Sequence, residues 1–193
     1  MRKIERPEPP NCLRAGALEW TEDYLTRRKN NPKHPFSWRS DSCYKQIRQT
    51  LSMMTAAHCA FCDGLIGVES RETVEHFKPK SQFPELAYEW TNLFPCCDMC
   101  QSKKGESFDP ALIKPDSEDY EFERYFVANY KTGEIEPSPS LEHKFQLAAE
   151  ITIRMYGLNI PARTKARLRE WGKFRQALDA CIDDYNYRFF LLD

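Results

Sequence analysis

With 193 residues, 41% of them hydrophobic and 13% aromatic, the chain has enough apolar surface for one packed domain, and its composition argues against a disordered polymer. No apolar run approaches the ~20 residues that cross a bilayer, so no membrane partner is expected. The formal net charge of −1 gives no global argument for a polyanionic ligand, and acidic or basic excess is only local.

Residues 1–39 are rich in charge and in proline (Pro7, Pro9, Pro10, Pro32, Pro35) and read as an extended arm with a short helix over 18–28. Residues 1–7 lack the apolar stretch of a secretory signal, which points to the cytoplasm. Tyr44, Ile47, Leu51 and Met54 recur at helical spacing, predicting an amphipathic helix over 42–57. Residues 58–106 show little periodicity and read as a metal-organised unit of two short strands and a helix. A strand over 122–129, a turn over 131–134 and a return strand over 135–137 form a predicted hairpin. Ser138 followed by Pro139 reads as a cap for a helix over 140–156, stopped by Gly157. A last helix begins near Pro161, with an apolar stripe from Leu168 through Trp171, Phe174, Leu178, Cys181, Ile182 and Tyr185 to Phe189. Its other face carries Arg163, Lys165, Arg167, Arg169, Lys173 and Arg175, which suits either phosphates or plain solvent. The expected organisation is a 1–57 arm and helix, a 58–106 core and a 107–193 hairpin with helices, packed as one α+β domain.

Eight cysteines carry the strongest chemical signal. Cys59-Ala-Phe-Cys62 and Cys97-Asp-Met-Cys100 each present two thiolates from one tight turn, and together they fill the four positions of a tetrahedral zinc. Such a site is closed, and therefore structural. Thiols stay reduced in the cytoplasm, where paired cysteines more often bind metal than form disulfides. Cys96 competes with Cys97 only by breaking the spacing. Cys12, Cys43 and Cys181 stand alone and read as small core residues. His58 adjoins Cys59 and reads as a bystander, and His34 and His143 lack supporting neighbours.

Between the pairs lies Glu75-His76. Hydrolysis of a phosphodiester requires an activated water and neutralised charge on the phosphate and leaving oxygen. A neutral imidazole can take the proton, and a carboxylate can hold a hard divalent cation. On a regular strand adjacent side chains face opposite ways, so convergence of the two requires a twisted or bulged strand end. Lys78, Lys80, Lys103 and Lys104 flank the segment and are candidate phosphate contacts. Residues 59–104 nevertheless carry seven acids, so the site is not a basic groove. Trp90 and Phe94 read as packing residues.

Taken together, Cys59-x-x-Cys62, Glu75-His76-Phe77-x-Pro79, Asn92-Leu93 and Cys97-x-x-Cys100-Gln101-x-Lys103-Lys104-Gly105 resemble the HNH endonucleases. The finer pattern resembles the PtuB-like nuclease subunits of Septu anti-phage systems and retron-associated HNH proteins. It includes Phe83-Pro84-Glu85-Leu86-Ala87-Tyr88-Glu89-Trp90 and Arg154-Met155-Tyr156-Gly157-Leu158-Asn159. The resemblance implies a ββα-metal core braced by zinc on Cys59, Cys62, Cys97 and Cys100. It makes His76 the general base, Glu75 a ligand of catalytic Mg2+ or Mn2+, and Asn92 the residue that braces the loop and orients the histidine. Gln101 stands where the family usually has His or Asn as a second ligand. The resemblance also implies a partner ATPase of the ABC type, and the chain has no phosphate-binding Gly-x-x-x-x-Gly-Lys-Ser/Thr loop of its own. DNA is the favoured substrate because most HNH enzymes cut it. The alternatives are an RNA nuclease of a retron-type system (acting on tRNA, for example), a zinc-stapled binding module without catalysis, and an adaptor working through the C-terminal helix.

Overall fold

A computed structural model describes residues 1–67, 70–139, 142–177 and 181–191. The architecture is α+β. Helix α1 (Asn11–Asn30) and helix α2 (Asp41–Met54) precede strand β1 (Glu72–His76), strand β2 (Leu93–Cys97) and helix α3 (Asp98–Lys104). A helical turn α4 (Phe122–Tyr125) runs into the hairpin β3 (Phe126–Asn129) and β4 (Glu134–Pro137), followed by helices α5 (His143–Met155) and α6 (Pro161–Gln176). Two antiparallel pairs make up the sheets, β1 with β2 and β3 with β4.

Local chemistry explains most of these boundaries. Ser40 accepts a hydrogen bond from the Cys43 amide and caps α2, which buries Cys43, Ile47 and Leu51. Pro161 opens α6, where its missing N–H costs no helical bond. Gly157 sits at φ +58° directly after α5, a left-handed conformation that ends the helix.

Several expectations are corrected. The N-terminal helix spans 20 residues, Asn11–Asn30, instead of a short piece. It buries only Leu13, Gly16 and Tyr24, and Leu18 is exposed, so its sequence has no apolar stripe to detect. Residues 122–125 are helical, and the strand starts at Phe126. Helix α5 starts at His143 with Glu142 before it, so Ser138 is not its cap; residues 140–141 lie outside the described set. Helix α6 stops at Gln176, well short of the end of the predicted stripe. Leu178 lies outside the described residues, Cys181 is exposed, and Phe189 reaches the core from a separate helical turn. Cys12 and Cys43 form a disulfide joining α1 to α2.

Two apolar clusters position the site. The larger gathers the four paired cysteines, Phe61, Phe94, Tyr156 and Phe190, so the C-terminal elements pack on the cysteine unit. The smaller joins α1 and α2 to the β1–β2 pair through Leu13, Tyr24, Ile47, Tyr88 and Leu93. Among the described residues no helix is long and apolar enough to cross a membrane.

Candidate metal centre and adjoining cleft

The chain leaves α2 through Ala56 and Ala57, both at positive φ, and turns into the first cysteine pair. Cys97 ends β2 and caps α3, its Sγ accepting from the Cys100 amide at 3.4 Å. Loop and helix thus bring Cys59, Cys62, Cys97 and Cys100 together, with sulfurs all within 4.8 Å of one another and all four residues buried. The Cys62 and Cys97 sulfurs are 3.7 Å apart. A tetrahedron with zinc–sulfur bonds of ~2.3 Å has edges of ~3.8 Å, so the quartet fits zinc. Burial opposes ionisation at Cys59, but hydrogen bonds from Cys100, Cys62, Cys96 and Cys97 outweigh it and hold this thiol well below its ordinary value. Cys96 stands outside the quartet, its Sγ donating to the Cys97 carbonyl at 3.3 Å. His58 is committed to the carbonyls of Ala56 and Tyr185.

Sequence reading missed the cation at this centre. Arg163 is buried, and its Nη2 lies 3.1 Å from Cys100 Sγ and 3.7 Å from Cys97 Sγ. Its other guanidinium nitrogen donates to the carbonyls of Tyr156 and Gly157. Burial works against its charge, yet the thiols of Cys62, Cys100 and Cys97 raise its pKa. Arg167, also buried, donates to the carbonyls of Gly133 and Leu158, and burial lowers its pKa to about 10. Both arginines therefore face inward, away from the solvent or phosphates that the charge pattern suggested. Four thiolates on zinc carry a net −2, and an inward guanidinium offsets part of it.

Beside it, β1 and α3 frame a second site. Glu75, His76, Pro79, Lys80, Gln101, Gly105 and Glu106 line a cleft of about 250 Å³. Glu75 and His76 are each almost fully buried. Although adjacent in sequence, both line this cleft, Glu75 within β1 and His76 as its last residue. Nε2 of His76 lies 2.9 Å from the Ala87 carbonyl, which can only accept, so Nε2 carries the proton. Burial, reinforced by Lys80, lowers the His76 pKa to about 4, and the ring is neutral at pH 7 with Nδ1 as its basic nitrogen. Trp38 stacks on the imidazole and Phe36 meets it edge-on.

Asn92 knits the loop after His76. Its Oδ1 accepts from the Lys78 amide at 2.8 Å, and its Nδ2 donates to the carbonyls of Lys78 and Leu86, both at 3.0 Å. Gln101 donates to the Val74 carbonyl from α3. The four flanking lysines diverge. Only Lys80 lines the cleft. Lys78 lies over Phe83 and Phe108, and the Lys103 stem packs beside Gly157. Lys104 is buried, with its Nζ 2.6 Å from Glu75 Oε1 and 3.1 Å from the His76 carbonyl. Its ammonium thus faces inward, onto Glu75.

The donor set suits a hard divalent cation. Glu75 and Gln101 offer oxygens, and the ammonium of Lys104 is already a cation held by converging oxygens at Glu75, His76 and Gly105. Burial raises the Glu75 pKa, and Lys104 opposes that rise.

No family model matches the chain. Two curated relatives do. Septu protein PtuB of Bacillus thuringiensis is 30% identical over 118 residues, covering 60% of this chain and 42% of the relative. Septu protein PtuB of Bacillus mycoides strain KBAB4 is 27% identical over 129 residues, covering 57% of this chain and 43% of that relative. The chain resembles Septu PtuB. It matches less than half the length of either relative.

Proposed function

We propose that this PtuB-like chain is a metal-dependent HNH-type endonuclease, the nuclease subunit of a Septu-type anti-phage defence system, working with a PtuA-like ATPase. The observation that carries the nuclease reading is the state of His76. Its ring is neutral, its proton is fixed on Nε2 by the Ala87 carbonyl, and it shares one cleft with Glu75 and Gln101. The names of the two relatives support the defence role.

In this reading Nδ1 of His76 takes a proton from a water, whose oxygen attacks the phosphorus. The phosphorus–oxygen bond to the leaving group then breaks, and that oxygen leaves with its electron pair. Glu75 and Gln101 would hold Mg2+ or Mn2+, which when bound would neutralise charge on the phosphate and leaving oxygen. Lys80 approaches a non-bridging phosphate oxygen, and Asn92 keeps the loop in register with the histidine. Zinc on Cys59, Cys62, Cys97 and Cys100 acts only as a staple. DNA is the favoured substrate over RNA.

One observation favours a second reading, a zinc-stapled binding module: the Glu75 carboxylate is paired with the buried ammonium of Lys104. Incubation of the purified chain, alone and with its ATPase partner, with supercoiled plasmid and total RNA in Mg2+ or Mn2+ separates the two. The nuclease reading expects metal-dependent cleavage that His76→Ala removes without loss of fold or zinc. Equal cleavage by His76→Ala would sink it, and absence of cleavage in every combination would favour the binding module.

A further inference from the structure

We infer that Lys104 is a built-in competitor for the divalent cation, which occupies Glu75 in the metal-free protein and must leave the carboxylate before metal binds. The inference rests on the reading of Glu75 as a metal ligand. Lys104 follows Gln101 by three residues on α3, so both project from one helix face toward β1. Its side chain is 0% exposed, and Nζ meets Glu75 Oε1 at 2.6 Å, the His76 carbonyl at 3.1 Å and the Gly105 carbonyl at 3.5 Å. A lysine is rarely enclosed so fully unless its charge is paired. Here the pair consists of the one buried carboxylate beside the imidazole. Lys103, the preceding residue, is exposed, so position on the helix selects Lys104 for this contact.

A carboxylate oxygen cannot serve a close ammonium and a divalent cation equally. At a few ångströms the repulsion between the two cations stays strong even with substantial dielectric screening. Lys104 therefore holds the Glu75 carboxylate in place when metal is scarce, and it raises the metal concentration at which the site fills. Once displaced, its ammonium is released beside the cleft, where a phosphate would receive it.

The test is Mn2+ binding to the zinc-loaded full chain, read from the electron paramagnetic resonance of free Mn2+. Lys104→Met should bind Mn2+ at least about tenfold more tightly than wild type, because the competing charge is gone. Glu75→Gln should lose the site. A second measurement uses wild type alone: mass-spectrometric labelling of lysine amines by an acylating reagent. Lys104 should be protected in the metal-free protein and become reactive as Mn2+ saturates. Equal or weaker Mn2+ affinity in a folded Lys104→Met, or labelling of Lys104 that Mn2+ does not raise, would overturn the competitor role while leaving Glu75 as a ligand. Absence of any Mn2+ site in wild type and in Lys104→Met would overturn both this inference and the metal-dependent reading beneath it.

Discussion

The chemistry of His76 depends on burial. In the unfolded chain an imidazole titrates near 6.5, and in the folded protein burial first, and Lys80 second, lower that value to about 4. Above pH ~6.5 the ring is neutral in both states and adds no pH dependence. Between about 6.5 and 4 the unfolded chain takes up a proton that the folded chain refuses, so stability falls through that window, by about 3 kcal/mol in full. His76→Gln keeps an amide donor for the Ala87 carbonyl but does not titrate. Urea unfolding of both proteins should therefore show the stability gap between them closing by about 2 kcal/mol between pH 7 and pH 5. A gap constant across that range would mean that the ring is solvated in solution. Much of this site was legible in the sequence because its signals are local. Cys-x-x-Cys spacing, an adjacent Glu-His pair and a following Asn-Leu each occupy a few residues. What stayed hidden were charges whose partners are remote: Arg163 meets a sulfur 63 residues earlier, and Lys104 meets Glu75 from 29 residues away. In a sequence both look like ordinary solvent-facing cations.

At the scale of elements, the β1–β2–α3 unit is too small to hold itself. Its strands are five residues each and its helix seven. An isolated two-stranded pair is marginal in water, and so is a helix this short. The cysteine quartet supplies what the unit lacks by tying the loop after α2 to both ends of the β2–α3 junction. Cys100→Ser should therefore drop zinc content from about one ion per chain to near none and lower the melting temperature sharply, since zinc binding in such sites stabilises by about 10 kcal/mol or more. Cys181→Ser, at an exposed cysteine outside the quartet, is the control and should change neither. Plasma mass spectrometry and a thermal melt decide it, and retained zinc in Cys100→Ser would show that the quartet is not the site. The same scale explains the misread helices. Periodicity found α2 because its stripe is buried. It underestimated α1, which is fastened mainly by the disulfide to Cys43, by Arg28 on the carbonyls of Lys80 and Ser81, and by Tyr24 against Tyr88. It overextended α6 because the aromatic residues beyond Gln176 keep helical spacing by chance while packing as separate turns.

For the whole molecule, the C-terminal segment closes the structure over the first cysteine turn. The Tyr187 amide donates to the Asp63 carbonyl at 2.7 Å, Asn186 Oδ1 accepts from the Leu65 amide at 2.7 Å, and His58 bonds the Tyr185 carbonyl. Arg188 anchors this strap. It is buried, its Nη2 lies 2.6 Å from Asp63 Oδ1, and the same nitrogen reaches the Thr55 carbonyl. Asp63 itself sits at φ +56°, a conformation that an aspartate tolerates better than most residues. The turn that presents Cys59 and Cys62 is thus held by residues more than a hundred positions later, and zinc retention and C-terminal packing should fail together. Removing one partner of a buried ion pair leaves an uncompensated charge, so Arg188→Met should cost about 3–5 kcal/mol of unfolding free energy. It should also speed zinc loss to a chelator. Pairing it with Asp63→Asn removes the stranded carboxylate, and the double variant should recover part of that loss. Strict additivity of the two substitutions would show that the strap is held by its backbone hydrogen bonds and aromatic packing, with the ion pair contributing little.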